Sequence, residues 1–201
     1  MSAKTLLDLS GLTRPSIHLS QATIILIDYQ NEYRSGPLTL TGVEPAIANA
    51  ALLVTAARSA GTRIVHIAHN GSAGGTFDRT AARGAIVDEL TPLASETVIE
   101  KPRPNAFSGT NLTEVVGQVD LPLIITGFMT HMCLSSTVRA ALDLGYMSIV
   151  PGDACATRDL PTATGDIAAA DLHRAELAAL GDRFAWIVNT ADLIGNGCRE
   201  R

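Results

Sequence analysis

The chain alternates short, continuously apolar segments with segments of helical spacing, and this alternation limits the folds that it can adopt. The first apolar segment, Ala22–Ile27, reads ATIILI, is rich in β-branched residues and ends abruptly at Asp28. Continuous rather than alternating apolarity is typical of a strand covered on both faces, as in a parallel sheet. Because parallel strands need crossover connections, we expect helices on both faces of this sheet.

The same reading along the chain predicts six strands and four helices. The strands are predicted at Ala22–Ile27, Arg63–Ala68, Thr97–Ile99, Leu123–Thr126, Met147–Val150 and Phe184–Val188. The helices are predicted at Val43–Ser59, Thr110–Gly117, Leu134–Leu144 and Ile167–Leu180, with a loop at Gly71–Gly75. This order predicts an α/β fold with three layers (α/β/α) and a mainly parallel, Rossmann-like sheet of about six strands.

Length and composition indicate one globular domain over residues 1–201, in which residues 1–20 form an N-terminal arm. The chain is 46% apolar and 17% charged, which excludes a disordered chain, and its net charge of −5 excludes a general nucleic-acid binder. The longest apolar run, Leu121–Thr126, is too short to cross a membrane. Met1–Ser10 lacks the features of a signal peptide, and three cysteines without close pairing favour a reduced, cytoplasmic protein.

Residues that carry chemistry follow several of the predicted strands. These are Asp28, the pair His69 and Asn70, the pair Glu100 and Lys101, and the stretch from Gly127 to Cys133. In open α/β sheets, ligands bind beyond the carboxyl ends of the strands. Each residue type has a common structural role at such a position. An aspartate there is often a helix cap or turn residue, a lysine is usually a solvated strand end, and a cysteine is more often a small buried apolar residue than a nucleophile. Their occurrence at one edge of one sheet favours a functional site.

Lys101 stands out because the chain has only two lysines, Lys4 and Lys101, against thirteen arginines. A GC-rich coding bias alone explains such a ratio. A lysine kept inside the fold under that bias indicates a place where a planar, permanently charged guanidinium would not serve.

Cys133 lies between the segment GFMTHM and a strongly helical segment, so its sulfur is predicted near a helix N-terminus. Free amides there, together with the Lys101 ammonium, favour a thiolate of lowered pKa. Asp28 is a candidate to accept the thiol proton, which gives a nucleophile, a base and an orienting cation. Cys155 and Cys198 lack this context and are interpreted as structural or incidental.

Three ordered motifs, IDYQNEY, EKPRPNAFSGTNL and GFMTHMCLSSTVRAALDLGY, together resemble the isochorismatase-like cysteine hydrolase superfamily. The later segments PGDACATRD and FAWIVNTADLI are also similar to that family, so the resemblance covers Thr23 to Ile194. It implies a catalytic triad of Asp28, Lys101 and Cys133. It also implies a cis peptide bond between Phe128 and Met129, and an oxyanion hole formed by the amides of Met129 and Cys133.

The departures from the family narrow the expected activity. Nicotinamidases of this superfamily carry a metal site after the second strand, where this chain has HIAHNGSAGG with no aspartate and a single suitable histidine, His69. His66 is interpreted as a packed or hydrogen-bonded side chain, and neither a metal nor another cofactor is expected. True isochorismatases lack the nucleophilic cysteine, so Cys133 favours thiol-based acyl transfer over ether hydrolysis.

Tyr33, His69, Phe107 and His131 are candidate substrate contacts, because they lie on loops that border the carboxyl edge of the sheet. The alternative for each is packing that only shapes a small pocket. Thr110 matches a family position or caps its helix, and Thr130 is expected to support the loop that contains the cis peptide.

The leading hypothesis is a metal-independent cysteine hydrolase that cleaves a C–N bond of a small amide through a Cys133 thioester. The alternatives are isochorismate-type ether hydrolysis with Asp28 as the acid, a non-catalytic member of the fold, and a redox thiol. The expected partners are a small-molecule substrate and further copies of the chain, in a dimer or larger homo-oligomer. An apolar arm, with Leu6, Leu7, Leu9, Leu12 and Ile17, favours the oligomer unless the arm folds back on its own domain.

Overall fold

The computed structural model of the chain describes residues 3–117 and 119–195. Its centre is a sheet of six parallel strands. The strands are β1 (Thr23–Ile27), β2 (Arg63–His69), β3 (Thr97–Lys101), β4 (Leu123–Gly127), β5 (Ser148–Pro151) and β8 (Trp186–Val188). Their order across the sheet is β3-β2-β1-β4-β5-β8. All six correspond to predicted strands, so the predicted three-layer, parallel α/β architecture is confirmed.

Seven α-helices surround the sheet in the part of the chain described by the structure. They are α1 (Leu6–Leu9), α2 (Glu32–Ser35), α3 (Val43–Ser59), α4 (Leu112–Val116), α5 (Ser135–Asp143), α6 (Ala169–Arg183) and α7 (Thr190–Ile194). The long α3 has the predicted bounds, whereas α1, α2 and α7 were not predicted.

Two apolar cores lie on the two faces of the sheet, because successive side chains of a strand point to opposite sides. Ile24 and Leu26 of β1 belong to the core that also contains α3, and Ile25 and Ile27 belong to the core that contains α4 and α5. All four side chains are at most 1% exposed. Burial on both faces explains why the β1 sequence is apolar throughout and does not alternate.

An antiparallel hairpin after β5 was not predicted. Its strands are β6 (Leu160–Thr162) and β7 (Gly165–Ile167), and it lies outside the main sheet. Because β7 includes Ile167, the predicted helix Ile167–Leu180 begins later, at Ala169. It also extends further than predicted, to Arg183. The hairpin is short and mostly exposed, so it has none of the apolar patterning on which the strand prediction rests.

The N-terminal arm packs in part on its own domain. Leu7 and Ile17 are buried, and the amide of Leu6 donates to Asp182 Oδ1 on α6 at 2.8 Å. Leu6, Leu9 and Leu12 remain between 48% and 67% exposed. The folded-back alternative thus accounts for two of the five apolar residues, and the expected oligomer stays a prediction that rests on the other three.

Among the helices described by the structure, none is both long enough and apolar enough to span a membrane.

Candidate active site

The order of the strands brings Asp28 and Lys101 to the same edge of the sheet. Asp28 directly follows β1, and its amide donates to the carbonyl of Ile67 on β2 at 2.9 Å. Lys101 is the last residue of β3, so β2 separates the two residues. Since neighbouring strands lie about 4.8 Å apart, a side chain with the length of lysine is needed to cross the end of β2.

The side chains of Asp28 and Lys101 meet in a fully buried ion pair. Lys101 Nζ lies 2.7 Å from Asp28 Oδ2, and both side chains are 0% exposed. Beyond this ion pair, no nitrogen or oxygen donor within residues 3–117 and 119–195 bonds to the carboxylate, and the Cys133 thiol is its other hydrogen-bond partner. Asp28 thus keeps one oxygen available to receive a proton.

Gly127 allows the segment after β4 to pass close to the end of β1. It pairs with Ile27 in the parallel ladder, and a Cβ atom at Gly127 would lie 2.0 Å from the carbonyl oxygen of Ile27. The φ angle of Gly127 is +137°, a region that side-chain-bearing residues rarely adopt. The next amide, that of Phe128, donates to the same Ile27 carbonyl at 2.9 Å, so glycine fixes this approach.

The peptide bond between Phe128 and Met129 is cis, as the family resemblance implied. The amide of Met129 donates to no other group in the part of the chain that the structure describes. Thr130 lies next to this bond, and its amide and hydroxyl both donate to the carbonyl of Ala156, at 3.0 and 3.1 Å. Thr130 therefore anchors the loop, in agreement with the expected supporting role.

Cys133 lies in a π-helical turn, Thr130–Leu134, that runs directly into α5. We call this segment the nucleophile turn. Lys101 Nζ lies 3.3 Å from Cys133 Sγ, so one ammonium contacts both the carboxylate of Asp28 and the sulfur. The structure thus brings together the three residues of the predicted triad.

The charges of the site do not give the resting thiolate that the sequence predicted. Burial and, to a lesser extent, the negative charge of Asp28 raise the pKa of Cys133 to about 12, although the Lys101 ammonium opposes both effects. Burial also raises the pKa of Asp28, and Lys101 again lowers it in part. The sulfur has one cation and one anion as neighbours, so the site is neutral with a protonated thiol, and the sequence analysis weighed only the cation.

Gln30 holds the end of β2 beside the triad and was not singled out from the sequence. Its Nε2 donates to the carbonyls of His69 and Gly84 at 3.0 and 2.8 Å, and its Oε1 accepts from the His69 amide at 2.8 Å. His69 Nδ1 in turn lies 3.5 Å from Lys101 Nζ. Burial and the Lys101 charge lower the pKa of His69, which leaves a neutral imidazole next to the ammonium.

An aromatic cluster lies beside His69. The Tyr33 ring packs edge-on against Phe77 and Phe128, with centroids 5.0 and 5.6 Å apart, and Phe77 packs edge-on against His69 at 5.2 Å. Phe77 is buried with a φ of +58°, a region that few non-glycine residues occupy. It follows the Gly71–Gly75 loop, and no pattern in the sequence indicated that Phe77, unlike that loop, would be buried beside the site.

His131 and Arg158 place two further polar groups near the aromatic cluster. His131 Nδ1 is hydrogen-bonded to Thr157 Oγ1 at 2.5 Å. Burial lowers the pKa of His131, and the charge of Arg158 lowers it further. Neither His131 Nε2 nor Arg158 Nε, both buried, has a hydrogen-bond partner among the described residues. Of the predicted substrate contacts, His69 thus lies beside Lys101 and Tyr33 belongs to the neighbouring aromatic cluster, whereas His131 lies in the nucleophile turn.

Residues 22–192 match the family model described as the isochorismatase domain. The chain belongs to the isochorismatase family. An isochorismatase structure from Pseudomonas putida KT2440 is similar, with a TM-score of 0.91 and 45% identity over 96% of this chain and 100% of that one.

Two curated relatives show how the names within the isochorismatase family vary. The secreted isochorismatase effector Isc1 of Verticillium dahliae is 32% identical, over 91% of this chain and 95% of its own. The ureidoacrylate amidohydrolase RutB of Acinetobacter baylyi is 27% identical, over 87% of this chain and 82% of its own. The shared family name thus covers proteins with different named activities.

Phe107, the fourth predicted substrate contact, packs against the apolar core that also contains Cys133. Its ring stacks on Tyr146, with centroids 5.8 Å apart and planes 14° from parallel, and it packs against the apolar core that holds α4 and α5. Thr110 accepts a hydrogen bond from the Leu112 amide, the first amide of α4, at 3.2 Å, although Asn111 is the N-cap residue of that helix. Both positions match the packing alternative.

No group of three or more histidine, cysteine, aspartate or glutamate side chains within residues 3–117 and 119–195 is arranged to hold a metal ion. His66 is buried, and its Nε2 lies 2.9 Å from Glu96 Oε2, so it is a hydrogen-bonded histidine as interpreted from the sequence. Metal independence itself stays a prediction.

Of the other two cysteines, the structure describes Cys155. Cys155 is buried, and its sulfur lies 3.4 Å from Thr126 Oγ1. Burial raises the pKa of Cys155 to about 11. It therefore fits the structural role expected for it, whereas Cys198 lies outside the described residues.

Proposed function

We propose that the protein is a metal-independent amidohydrolase that cleaves a C–N bond of a small amide through a thioester on Cys133. The observation that carries the proposal is the contact of one buried ammonium, that of Lys101, with both a carboxylate and a thiol. The buried cluster thus contains both a base, the Asp28 carboxylate, and a nucleophile, the Cys133 thiol. The amidohydrolase name of the RutB relative supports the same class of reaction.

In the first half of the reaction, Asp28 accepts the proton of the Cys133 thiol while the sulfur attacks the amide carbonyl carbon. The negative charge moves from the carboxylate to the sulfur and then to the carbonyl oxygen. The site is neutral before and after the proton transfer, because Lys101 balances whichever group is charged. The raised pKa of the buried Asp28 makes it a stronger base than an ordinary aspartate, whereas the raised pKa of Cys133 makes the thiol proton harder to remove.

The tetrahedral intermediate then loses its amine. The C–N bond breaks, Asp28 returns the proton to the leaving nitrogen, and the acyl group remains on Cys133 as a thioester. In the second half, Asp28 takes a proton from a water molecule that attacks the thioester. The C–S bond breaks, the sulfur takes that proton back, and the carboxylic acid leaves.

The amides of Met129 and Cys133 are the proposed oxyanion hole. The Met129 amide belongs to the cis peptide bond itself, and the Cys133 amide belongs to the nucleophile turn that follows it. The Met129 amide has no competing acceptor in residues 3–117 and 119–195. Such donors typically stabilise the transition state by about 2.7–4 kcal/mol each. The burial of Cys133, which is 5% exposed, fits a small substrate that replaces water at the sulfur.

A second candidate is isochorismate-type ether hydrolysis, and the isochorismatase names of the relatives favour it. In that reaction Asp28 would protonate the substrate, and the raised pKa of Asp28 suits an acid. Cys133 has no covalent role in it, so the two candidates differ in their need for the sulfur.

The experiment is a screen of small amides, ureides and lactams for release of ammonia or amine, with isochorismate included for the second candidate. The amidohydrolase proposal predicts turnover of at least one amide, with no turnover by Cys133→Ala or Cys133→Ser. Cys155→Ala is the matched control and should retain activity. Ether hydrolysis that survives Cys133→Ala, without any amide turnover, would contradict the proposal and favour the second candidate.

A further inference from the structure

Helix α6 contacts the nucleophile turn through two polar side chains that the sequence analysis did not single out. His173 and Glu176 are three residues apart in this helix, and residues at that spacing share one helix face. His173 contacts Thr130, the first residue of the turn, and Glu176 contacts Ser135, the residue directly after it. The two contacts therefore bracket Cys133.

The first contact fixes the start of the nucleophile turn. His173 Nδ1 lies 2.9 Å from Thr130 Oγ1, and Thr130 is fully buried. Burial lowers the pKa of His173, and the Gly152 carbonyl only partly offsets this effect, so the imidazole is neutral at pH 7. The ring therefore adds a hydrogen bond without adding charge beside the triad.

The second contact fixes the start of α5. Glu176 Oε1 accepts from the Ser135 hydroxyl and from Arg139 Nη2, the latter at 3.0 Å. Arg139 Nε donates back to Ser135 Oγ at 3.1 Å, which closes a three-residue ring of hydrogen bonds. The Arg139 guanidinium also lies 4.4 Å from the centroid of the Phe184 ring. Ser135 is thus held from both sides.

Apolar packing holds α6 mainly at its first residue and in its last turns. Of its fifteen residues, Ala169 and Leu180 are buried, and the partly buried Leu177 packs against the core that holds α5. His173 and Glu176 lie between Ala169 and Leu177. Their polar contacts thus join the middle of the helix to the nucleophile turn.

We propose that His173 and Glu176 are positioning residues that hold the nucleophile turn at both ends. They keep Cys133 Sγ in contact with Lys101 Nζ, and through Thr130 they keep the neighbouring Met129 amide in place. The effect on the sulfur is independent of which reaction the site performs. The effect on the Met129 amide rests on the proposed function.

The test measures the rate of iodoacetamide alkylation at Cys133 and Cys155 separately, by peptide mass spectrometry of the native protein. His173→Leu removes the hydrogen bond. Thr130→Val removes it from the other side at nearly constant volume, together with the bond of the Thr130 hydroxyl to the Ala156 carbonyl. His173→Leu should react about two- to tenfold more slowly at Cys133, the change expected for one lost hydrogen bond, and Thr130→Val at least as slowly. Cys155, which is also buried, reports any general loosening of the fold and should be unchanged.

Two further variants separate positioning from general stability. His173→Asn restores a polar atom near the place of Nδ1 and should recover most of the Cys133 rate. Arg174→Ala, at a side chain that is 83% exposed on the same helix, is the matched control and should behave as wild type. On any substrate that the screen identifies, His173→Leu should lower kcat with little change in KM.

A Cys133 rate that is unchanged or faster in both His173→Leu and Thr130→Val, or a parallel change at Cys155, would overturn the positioning role. Because alkylation needs no substrate, this outcome is distinguishable from failure of the amide screen.

Discussion

Lys101 Nζ lies 2.7 Å from Asp28 Oδ2, and neither side chain is exposed to solvent. Two buried charges of opposite sign offset each other, but each alone has a large desolvation cost. Lys101, one of only two lysines in a chain with thirteen arginines, therefore forms an ion pair with a carboxylate at the centre of the site. The stability of the fold and the chemistry of the site depend on the same pair.

Lys101→Met should destabilise the protein by about 3–5 kcal/mol, because it leaves the Asp28 carboxylate without its cation. Urea unfolding monitored by circular dichroism measures this change in the free energy of unfolding. Lys4→Met removes the other, exposed lysine and should change stability by less than about 0.5 kcal/mol. A Lys101→Met variant as stable as wild type would mean that the pair is not desolvated in solution.

The pH profile should follow the pKa shifts of the triad. The pKa of Asp28 lies above its ordinary value of 3.8, so the base is protonated and kcat/KM falls at a pH above that of an ordinary aspartate. The raised pKa of Cys133, about 12, keeps the thiol proton in place on the alkaline side. The rate should therefore stay level up to about pH 9. An alkaline limb near the ordinary thiol range, with folding intact, would contradict the assigned charges.

Chelation should leave the activity unchanged. Dialysis against EDTA removes adventitious ions, and the proposed steps use only Asp28, Lys101 and Cys133. Elemental analysis should find well under one metal ion per chain. A stoichiometric zinc or iron whose return restores a lost activity would overturn the metal-independent mechanism.

Light scattering should report a dimer or larger assembly at micromolar concentration. Leu9 and Leu12 of the arm are 67% and 48% exposed, and leaving such side chains in water forgoes about 1.5–3 kcal/mol each. The double variant Leu9→Asp, Leu12→Asp should shift the protein toward smaller species. Leu52→Asp, at an equally exposed leucine of α3, is the control and should leave the assembly intact. A monomeric wild-type protein would refute this prediction and leave the triad untouched.

The sequence predicted the sheet and the triad because both depend on local patterns. Each buried strand is a short apolar run, and the polar residue that ends it marks the carboxyl edge, where Asp28 and Lys101 lie. The nearness of Asp28 and Lys101 follows from strand order, which was not predicted, and the triad was implied by the family resemblance. Cys133 was placed in the same way, by the motif that precedes α5.

The missed residues depend on contacts between distant segments. His173 contacts Thr130 across 43 positions of the chain, and no local pattern marks that pairing. Phe77 reaches the site only because its backbone adopts a positive φ, which its sequence does not signal. The thiolate prediction failed for a related reason, since burial and the charge of Asp28 outweigh the cation at Cys133.

The most direct test of the central claim is intact-protein mass spectrometry after rapid acid quench during turnover of an amide found in the screen. A thioester on Cys133 predicts a mass increase equal to the acyl group minus one hydrogen, located on the Cys133 peptide and removed by hydroxylamine. Cys133→Ala should show no adduct, and Cys155→Ala should show the same adduct as wild type. Amide turnover that persists in Cys133→Ala, or an acyl group on any residue other than Cys133, would contradict it.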